Sequence, residues 1–294
     1  MIAALYRTPT ALLTLTAMMW ASNAIFGQLV VGEITPFAVV LLRWVMVAGV
    51  MWPLYGQELR AHWPAMREKL GVIILMSVAG FTAFNTLFYI ASTQTTGINI
   101  GILQGMMPVL VMLGAFAVYG DRVTGRAMIG VAITLSGVLV IASKGDVQRL
   151  IDLAFNNGDL IMLVACVMYA AYTVAIRNRP QVPGAALFTL FAVIAAIASV
   201  PLAVWEAVQP DYQWPTPTGW ALTVAIAIFP SCLAQLFFLR GVDLIGPGKA
   251  GLYINLVPIF AAILAVLVLG EVFAFYHALA LFLVLGGIAL AQRN

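Results

Sequence analysis

Charge is scarce in this chain. Asp, Glu, Lys and Arg make up 9% of its 294 residues, where a soluble domain carries about a quarter, so an ordinary soluble globular protein is excluded. Cysteine occurs only at Cys166 and Cys232, both inside apolar stretches. That excludes a disulfide framework and reads as two small buried apolar side chains. The two histidines, His62 and His277, stand far apart, and there is no HExxH or Cys/His cluster; neither a metal site nor a cofactor is expected. The phosphate loop GxxxxGK[ST] is missing, which excludes ATP hydrolysis of the P-loop kind. No nucleophile, acid and metal constellation suggests an enzyme. No Asp or Glu falls in the middle of an apolar run: Glu33, Asp121, Asp159, Asp243 and Glu271 sit at run ends or in loops, so no proton relay inside the membrane is visible.

What remains is apolar. The chain is 63% hydrophobic, with a mean hydropathy of +1.05. A spanning helix needs roughly 20 mostly apolar residues, and ten such runs are found, near 10–31, 36–55, 70–91, 97–119, 126–143, 159–177, 184–205, 219–239, 247–269 and 272–291. The expected fold is an all-α membrane protein of ten transmembrane helices, with the lipid bilayer as its main partner. The run after Arg7 is too long for a signal peptide and has a counterpart in the second half, so it is read as a retained first span.

Basic residues set the orientation. With the N-terminus in the cytoplasm, Arg7, Arg60, Arg67, Lys69, Arg122, Arg126, Arg177, Arg179, Arg240, Lys249 and Arg293 fall on the cytoplasmic side and only Lys144 and Arg149 on the other. Both termini of this multi-pass chain are therefore predicted to be cytoplasmic. The pI near 9.0 needs no nucleic acid to explain it.

The two halves repeat. Leu87-Phe88-Tyr89-Ile90 aligns with Leu236-Phe237-Phe238-Leu239 at an offset of 149; with one inserted residue Pro108 meets Pro258, Gly120 meets Gly270, Asp121 meets Glu271 and Gly137 meets Gly287. Repeats 1–145 and 146–294 would each hold five spans, an odd number, so the second would enter the membrane in the opposite sense and both would form one transmembrane domain. Two inverted five-helix repeats with a site near mid-depth are an architecture typical of transporters.

Groups that are costly against lipid collect in matching spans, and should face the bundle interior. The first span carries Trp20 and Asn23, matched by Tyr169 and Tyr172 in the sixth. The third carries Thr82, Asn85, Thr86 and Tyr89, with 82, 86 and 89 on one helix face. Ser231, Gln235 and Phe238 in the eighth repeat that spacing, and the fourth and ninth add Asn99, Gln104, Tyr253 and Asn255. Each polar group could equally be glue between helices, for roughly 1 kcal/mol or less; the collection on matched faces points to a substrate cavity. Arg43 is the one charge well inside a span. Unpaired it costs at least ~2.5–3.5 kcal/mol, so it needs backbone carbonyls, a carboxylate such as Glu33 or Asp159, or a substrate carboxylate. Gly97, Gly101 and Gly105 allow a neighbouring helix to approach closely. Pro108 and Pro258 are expected to kink the fourth and ninth helices as hinges.

These residues together resemble the EamA family of the drug/metabolite transporter superfamily: ten spans in two repeats, Trp20-Ala21-Ser22-Asn23 in the first, an arginine in the second, and the paired Pro…Gly-Asp/Glu elements at 108–121 and 258–271. Within it the chain is most similar to YddG-type exporters of aromatic amino acids. The resemblance implies a bacterial inner-membrane exporter whose central cavity opens alternately to either side, acting on small amphipathic molecules, amino acids including aromatic ones first, as a monomer or homodimer. The alternatives are export of other small metabolites or drugs, a channel, and a membrane-embedded enzyme acting on lipid-linked substrates. The small four-helix members of the superfamily use a carboxylate in the first helix; here Trp20 and Asn23 stand in that region, so cation/proton exchange is not implied.

The orientation predicts that a cysteine introduced at Gln148 reacts with an impermeant thiol reagent added outside intact cells, while one at Ala65 does not. The reverse labelling pattern would invert the topology.

Overall fold

The computed structural model describes residues 7–146, 148, 156–210 and 212–292; Arg149 and Arg293, counted above, lie outside them. Regular structure among the described residues is entirely helical. Among the described residues, nine helices are long and apolar enough to cross a membrane: α1 Pro9–Leu29, α2 Pro36–Ala61, α3 Leu70–Ser92, α4 Gly97–Tyr119, α5 Gly125–Ala142, α6 Asn157–Asn178, α7 Gly184–Ala207, α8 Pro217–Ile245 and α9 Lys249–Leu269. The last apolar run forms the shorter α10, Phe275–Ala291. A short helix, Trp63–Glu68, joins α2 to α3.

Helix starts follow local chemistry. Thr8-Pro9, Thr35-Pro36 and Thr216-Pro217 each put an extended threonine at the cap and proline in the first turn, where the missing N–H costs nothing and the fixed φ suits the helix. Thr96 and Thr124 cap α4 and α5 through their side chains. At the other end, α4 and α9 both stop on a left-handed glycine, Gly120 at φ 68° and Gly270 at φ 67°, a conformation glycine adopts without steric cost.

Two kinds of interruption come in pairs. α3 and α8 each contain a π-helical turn, Val78–Ala83 and Ala227–Leu233. α4 breaks after Gln104 and resumes at Met107, and α9 passes through a 3-10 stretch, Leu252–Leu256, before resuming at Val257. The kinks expected at Pro108 and Pro258 are therefore breaks lying just before them. Each proline sits in the first turn of the resumed helix, where it removes no helical hydrogen bond.

The two halves are interleaved. α2 packs along α7 and α5 along α10, while α1 packs on α8 and α9, and α6 on α3 and α4. Glycine sets the closest of these approaches. A Cβ on Gly130 would stand 2.5 Å from the Gly287 carbonyl oxygen, and one on Gly101 2.3 Å from Ala261 Cβ. Large apolar side chains such as Leu75, Val118, Ile197, Leu267 and Phe282 face outward, as lipid-facing positions require.

Gly130→Ala is expected to lower stability by about 1–3 kcal/mol, because backbone must move to admit the methyl group. Gly49→Ala, where nothing stands within 4 Å, should be neutral or stabilising by up to about 1 kcal/mol. Thermal unfolding in detergent compares the two; equal effects would remove the close helix contact as a determinant.

Candidate functional site

The site is organised around Arg43, 5% exposed in the middle of α2. Its Nε donates to Ser231 Oγ at 2.8 Å. Its Nη1 donates to Asn85 Oδ1 at 2.6 Å and lies 3.2 Å from Asn23 Oδ1 and 3.1 Å from the Tyr89 hydroxyl. Tyr89 in turn donates to Asn23 at 3.2 Å. None of these partners is an anion. The carboxylates considered as partners are engaged elsewhere: Glu33 accepts from the Thr216 hydroxyl, and Asp159 from Thr95 and Asn99. Among the described residues Nη2 has no protein acceptor.

The π-helical turns explain how neutral groups come to hold the guanidinium. A π turn widens the ladder and leaves carbonyls without their usual α-helical donors. In α3 the Phe81 carbonyl accepts from Asn85 Nδ2 at 2.7 Å and from Trp44 Nε1 at 3.1 Å. That fixes the Asn85 amide with its oxygen toward Arg43. In α8 Pro230 lacks an N–H, and Ser231 Oγ donates to the Ile226 carbonyl at 2.7 Å, which leaves the hydroxyl oxygen free to accept from Arg43. Trp44 adds its ring, with Arg43 Cζ 5.1 Å from its centroid.

Arg43 forms part of the wall of a cavity of about 870 Å³, counting the space at its open mouth. Of the residues expected to meet substrate, Trp20, Asn23, Arg43, Asn85, Gln104, Tyr169, Ser231, Gln235 and Asn255 line it, together with the expected hinges Pro108 and Pro258. The others do not. Tyr89 is buried behind Arg43. Thr82 is buried, with its hydroxyl 3.4 Å from the Ala195 carbonyl of α7. Thr86 is buried without a hydroxyl partner. Tyr172 lines a smaller neighbouring cleft, Phe238 packs on Trp20 with centroids 5.1 Å apart, and Tyr253 lies half-buried in the 3-10 stretch of α9.

Sequence reasoning missed Trp44, Phe81, Phe84, Phe188 and Pro230, which supply much of the apolar wall. Phe81 stacks on Phe191 at 5.3 Å and Phe84 packs on Tyr169 at 5.1 Å. A π turn shifts the helix face by one residue, so i, i+4 spacing could not assign these rings to the cavity. Pro230 inside an apolar run was the available signal.

The bundle is closed at one end. Glu271 accepts from the backbone N–H groups of Gly97 and Ile98 at 2.7 and 2.9 Å, tying the α9–α10 connection to the start of α4. Glu206 accepts from Ala38 N at 2.9 Å and Thr35 Oγ1 at 2.5 Å, tying the end of α7 to the start of α2. Glu33 joins the α1–α2 connection to Thr216, and Asp159 joins the start of α6 to Thr95 at 2.5 Å. Anions at helix N-termini are favoured by the helix dipole. Asp159, read from sequence as a helix-end carboxylate, is fully enclosed. At the opposite end Asp121 and Arg177 form an exposed ion pair at 3.0 Å. Gly97 to Leu103 of α4 are all buried, whereas none of Leu252 to Leu256 of α9 is. The cavity is therefore sealed along the first half of α4 and accessible along the first half of α9.

A model of the EamA-like transporter family matches residues 8–143 and 156–292. The chain is 26% identical to the uncharacterised transporter YetK of Bacillus subtilis, over 91% of this chain and 81% of that one. It is 21% identical to the aromatic amino acid exporter YddG of Ancylobacter novellus, over 78% and 77%. It is 25% identical to a probable terminal-alkyne amino-acid exporter of Streptantibioticus cattleyicolor, over 88% and 85%. A solved crystal structure shares the fold at a TM-score of 0.65 and 21% identity, covering 97% of this chain and 98% of the other.

Asn85→Leu should destabilise the protein by about 1–3 kcal/mol, since it removes the shortest bond to a buried charged donor and leaves only the longer contacts to Asn23 and Tyr89. Thr82→Val, which loses only a 3.4 Å contact, should cost clearly less. Chemical or thermal unfolding in detergent decides; a larger cost at Thr82 would deny Asn85 its place in holding Arg43.

Proposed function

Because the chain belongs to the EamA-like transporter family, we propose that it is an alternating-access carrier exporting small amphipathic metabolites, amino acids including aromatic ones first among them, across the bacterial inner membrane. In this reading ten spans form two inverted five-helix repeats, 1–145 and 146–294, with both termini cytoplasmic. The carboxylate-tied end is then the outer face, and the cavity is open inward.

One observation carries the substrate class: Arg43 lies in an aromatic-walled cavity, held by Nε and Nη1, while among the described residues Nη2 has no protein acceptor. Nη2 carries two N–H donors, and a charge-assisted bond to a carboxylate is roughly twice as strong as a neutral one. Trp20, Phe81, Phe84 and Tyr169 offer ring contacts to an apolar side chain. Asn23, Gln104, Gln235 and Asn255 offer groups for the α-amine and for the polar rim of the substrate. The breaks before Pro108 and Pro258 lie against this cavity, and would serve as the hinges about which the halves of α4 and α9 move. The relatives that are amino-acid exporters support the reading at low identity.

The test is counterflow of labelled amino acids into preloaded liposomes, with acids and their amides as competitors. Arg43→Gln is expected to weaken competition by acids about tenfold, corresponding to 1.4 kcal/mol, and to leave amides nearly unchanged. Arg43→Lys should fall between. Trp20→Ala and Gln235→Ala should reduce transport of both classes while leaving folded protein in the membrane. Equal losses for acids and amides in Arg43→Gln would make Arg43 a structural pin and leave a carrier of other metabolites or drugs.

A further inference from the structure

Beside the main cavity lies a smaller cleft of about 320 Å³, walled by α3, α6, α7 and α8. The two cavities share Phe188 and Gln235, so Gln235 stands between them. Tyr172 and Phe191 line the cleft and belong to the same ring cluster as Phe81 of the main cavity, with Phe81–Tyr172 centroids 5.1 Å apart. The cleft is lined at one point by Arg179, in the connection between α6 and α7, at the end of the bundle that the four carboxylate ties leave open.

Arg179 is exposed, and among the described residues it has no hydrogen-bond or ion-pair partner. Its neighbour Arg177 is neutralised by Asp121. Among the described residues, Arg179 is also the one charged residue lining the cleft, as Arg43 is the one charged residue lining the main cavity. A substrate passing from the open end past Gln235 therefore meets an exposed cation first, then an uncharged stretch, then a buried cation. In a cleft with low-dielectric walls, a cation attracts the carboxylate end of a zwitterion and orients it.

We infer that this cleft is a loading vestibule in which Arg179 captures the carboxylate of a small amphipathic substrate before it moves past Gln235 to Arg43. This rests on the carboxylate reading of Arg43 above. The vestibule contact is exposed and screened, so its contribution is to loading at low substrate concentration, not to the translocation step.

Initial rates of L-phenylalanine and L-phenylalaninamide entering from the Arg179 face of proteoliposomes test it, at low and high ionic strength. Arg179→Gln should raise the half-saturating concentration for the acid about threefold, within the range of an exposed charge pair, with the maximal rate unchanged and with no rise for the amide, which has no carboxylate to capture. Arg179→Lys should behave as the unaltered protein, and high salt should bring the unaltered protein to the Arg179→Gln value. Equal slowing of acid and amide would assign Arg179 to the fold or to lipid headgroups and overturn the vestibule. So would unchanged kinetics in Arg179→Gln while Arg43→Gln still separates acid from amide. If Arg43→Gln fails to separate them, the carboxylate reading of the deep site falls and the vestibule with it.

Discussion

A single buried guanidinium places the strongest demand on this structure. An arginine inside an apolar bundle is costly unless its donors are satisfied, and here the donors on Nε and Nη1 are met by neutral groups from α1, α3 and α8. Those groups are themselves held by carbonyls that the π turns leave available, Phe81 for Asn85 and Ile226 for Ser231. The irregular turns in α3 and α8 are thus what a positive charge without an anion requires. A carboxylate partner would have neutralised Arg43 and left nothing for a ligand. Neutral partners fix its direction and preserve its charge.

The same bundle uses its carboxylates at the periphery. Glu33, Glu206, Asp159 and Glu271 all serve at or beside helix starts, and together they tie one end of the molecule. Contacts of this kind break and reform more readily than a packed apolar seam, because water can replace a carboxylate at an N-terminus once the end opens. Packing against lipid gives no comparable choice, and many of the outward-facing side chains of the helices are bulky and apolar.

Membership in a transporter family establishes the kind of protein, and the fold shared with a solved structure at 21% identity says nothing of cargo, since one fold carries many ligands. What the cavity itself offers is aromatic rings, side-chain amides and, among the described residues, one guanidinium lining a single space.

Much of this was legible in the sequence because it is local. The apolar runs, the Thr-Pro helix starts and the glycine stops at Gly120 and Gly270 depend on neighbours a few residues away. The inward-facing positions of Trp20, Asn23, Arg43, Asn85, Gln104, Tyr169, Ser231, Gln235 and Asn255 followed from the cost of polar and charged groups against lipid, and for several of them from the matching of the two halves. What only the tertiary structure decided depends on distant partners. The π turns rotate the helix faces, so Thr82, Thr86 and Tyr89 leave the cavity surface while Phe81 and Phe84 enter it. The breaks precede Pro108 and Pro258 because proline fits the first turn of a helix better than its interior. Asp159 is sealed and Arg43 meets only neutral groups because burial and pairing are set by helices far away in the chain. No spacing along a single helix records which end of the bundle those helices close.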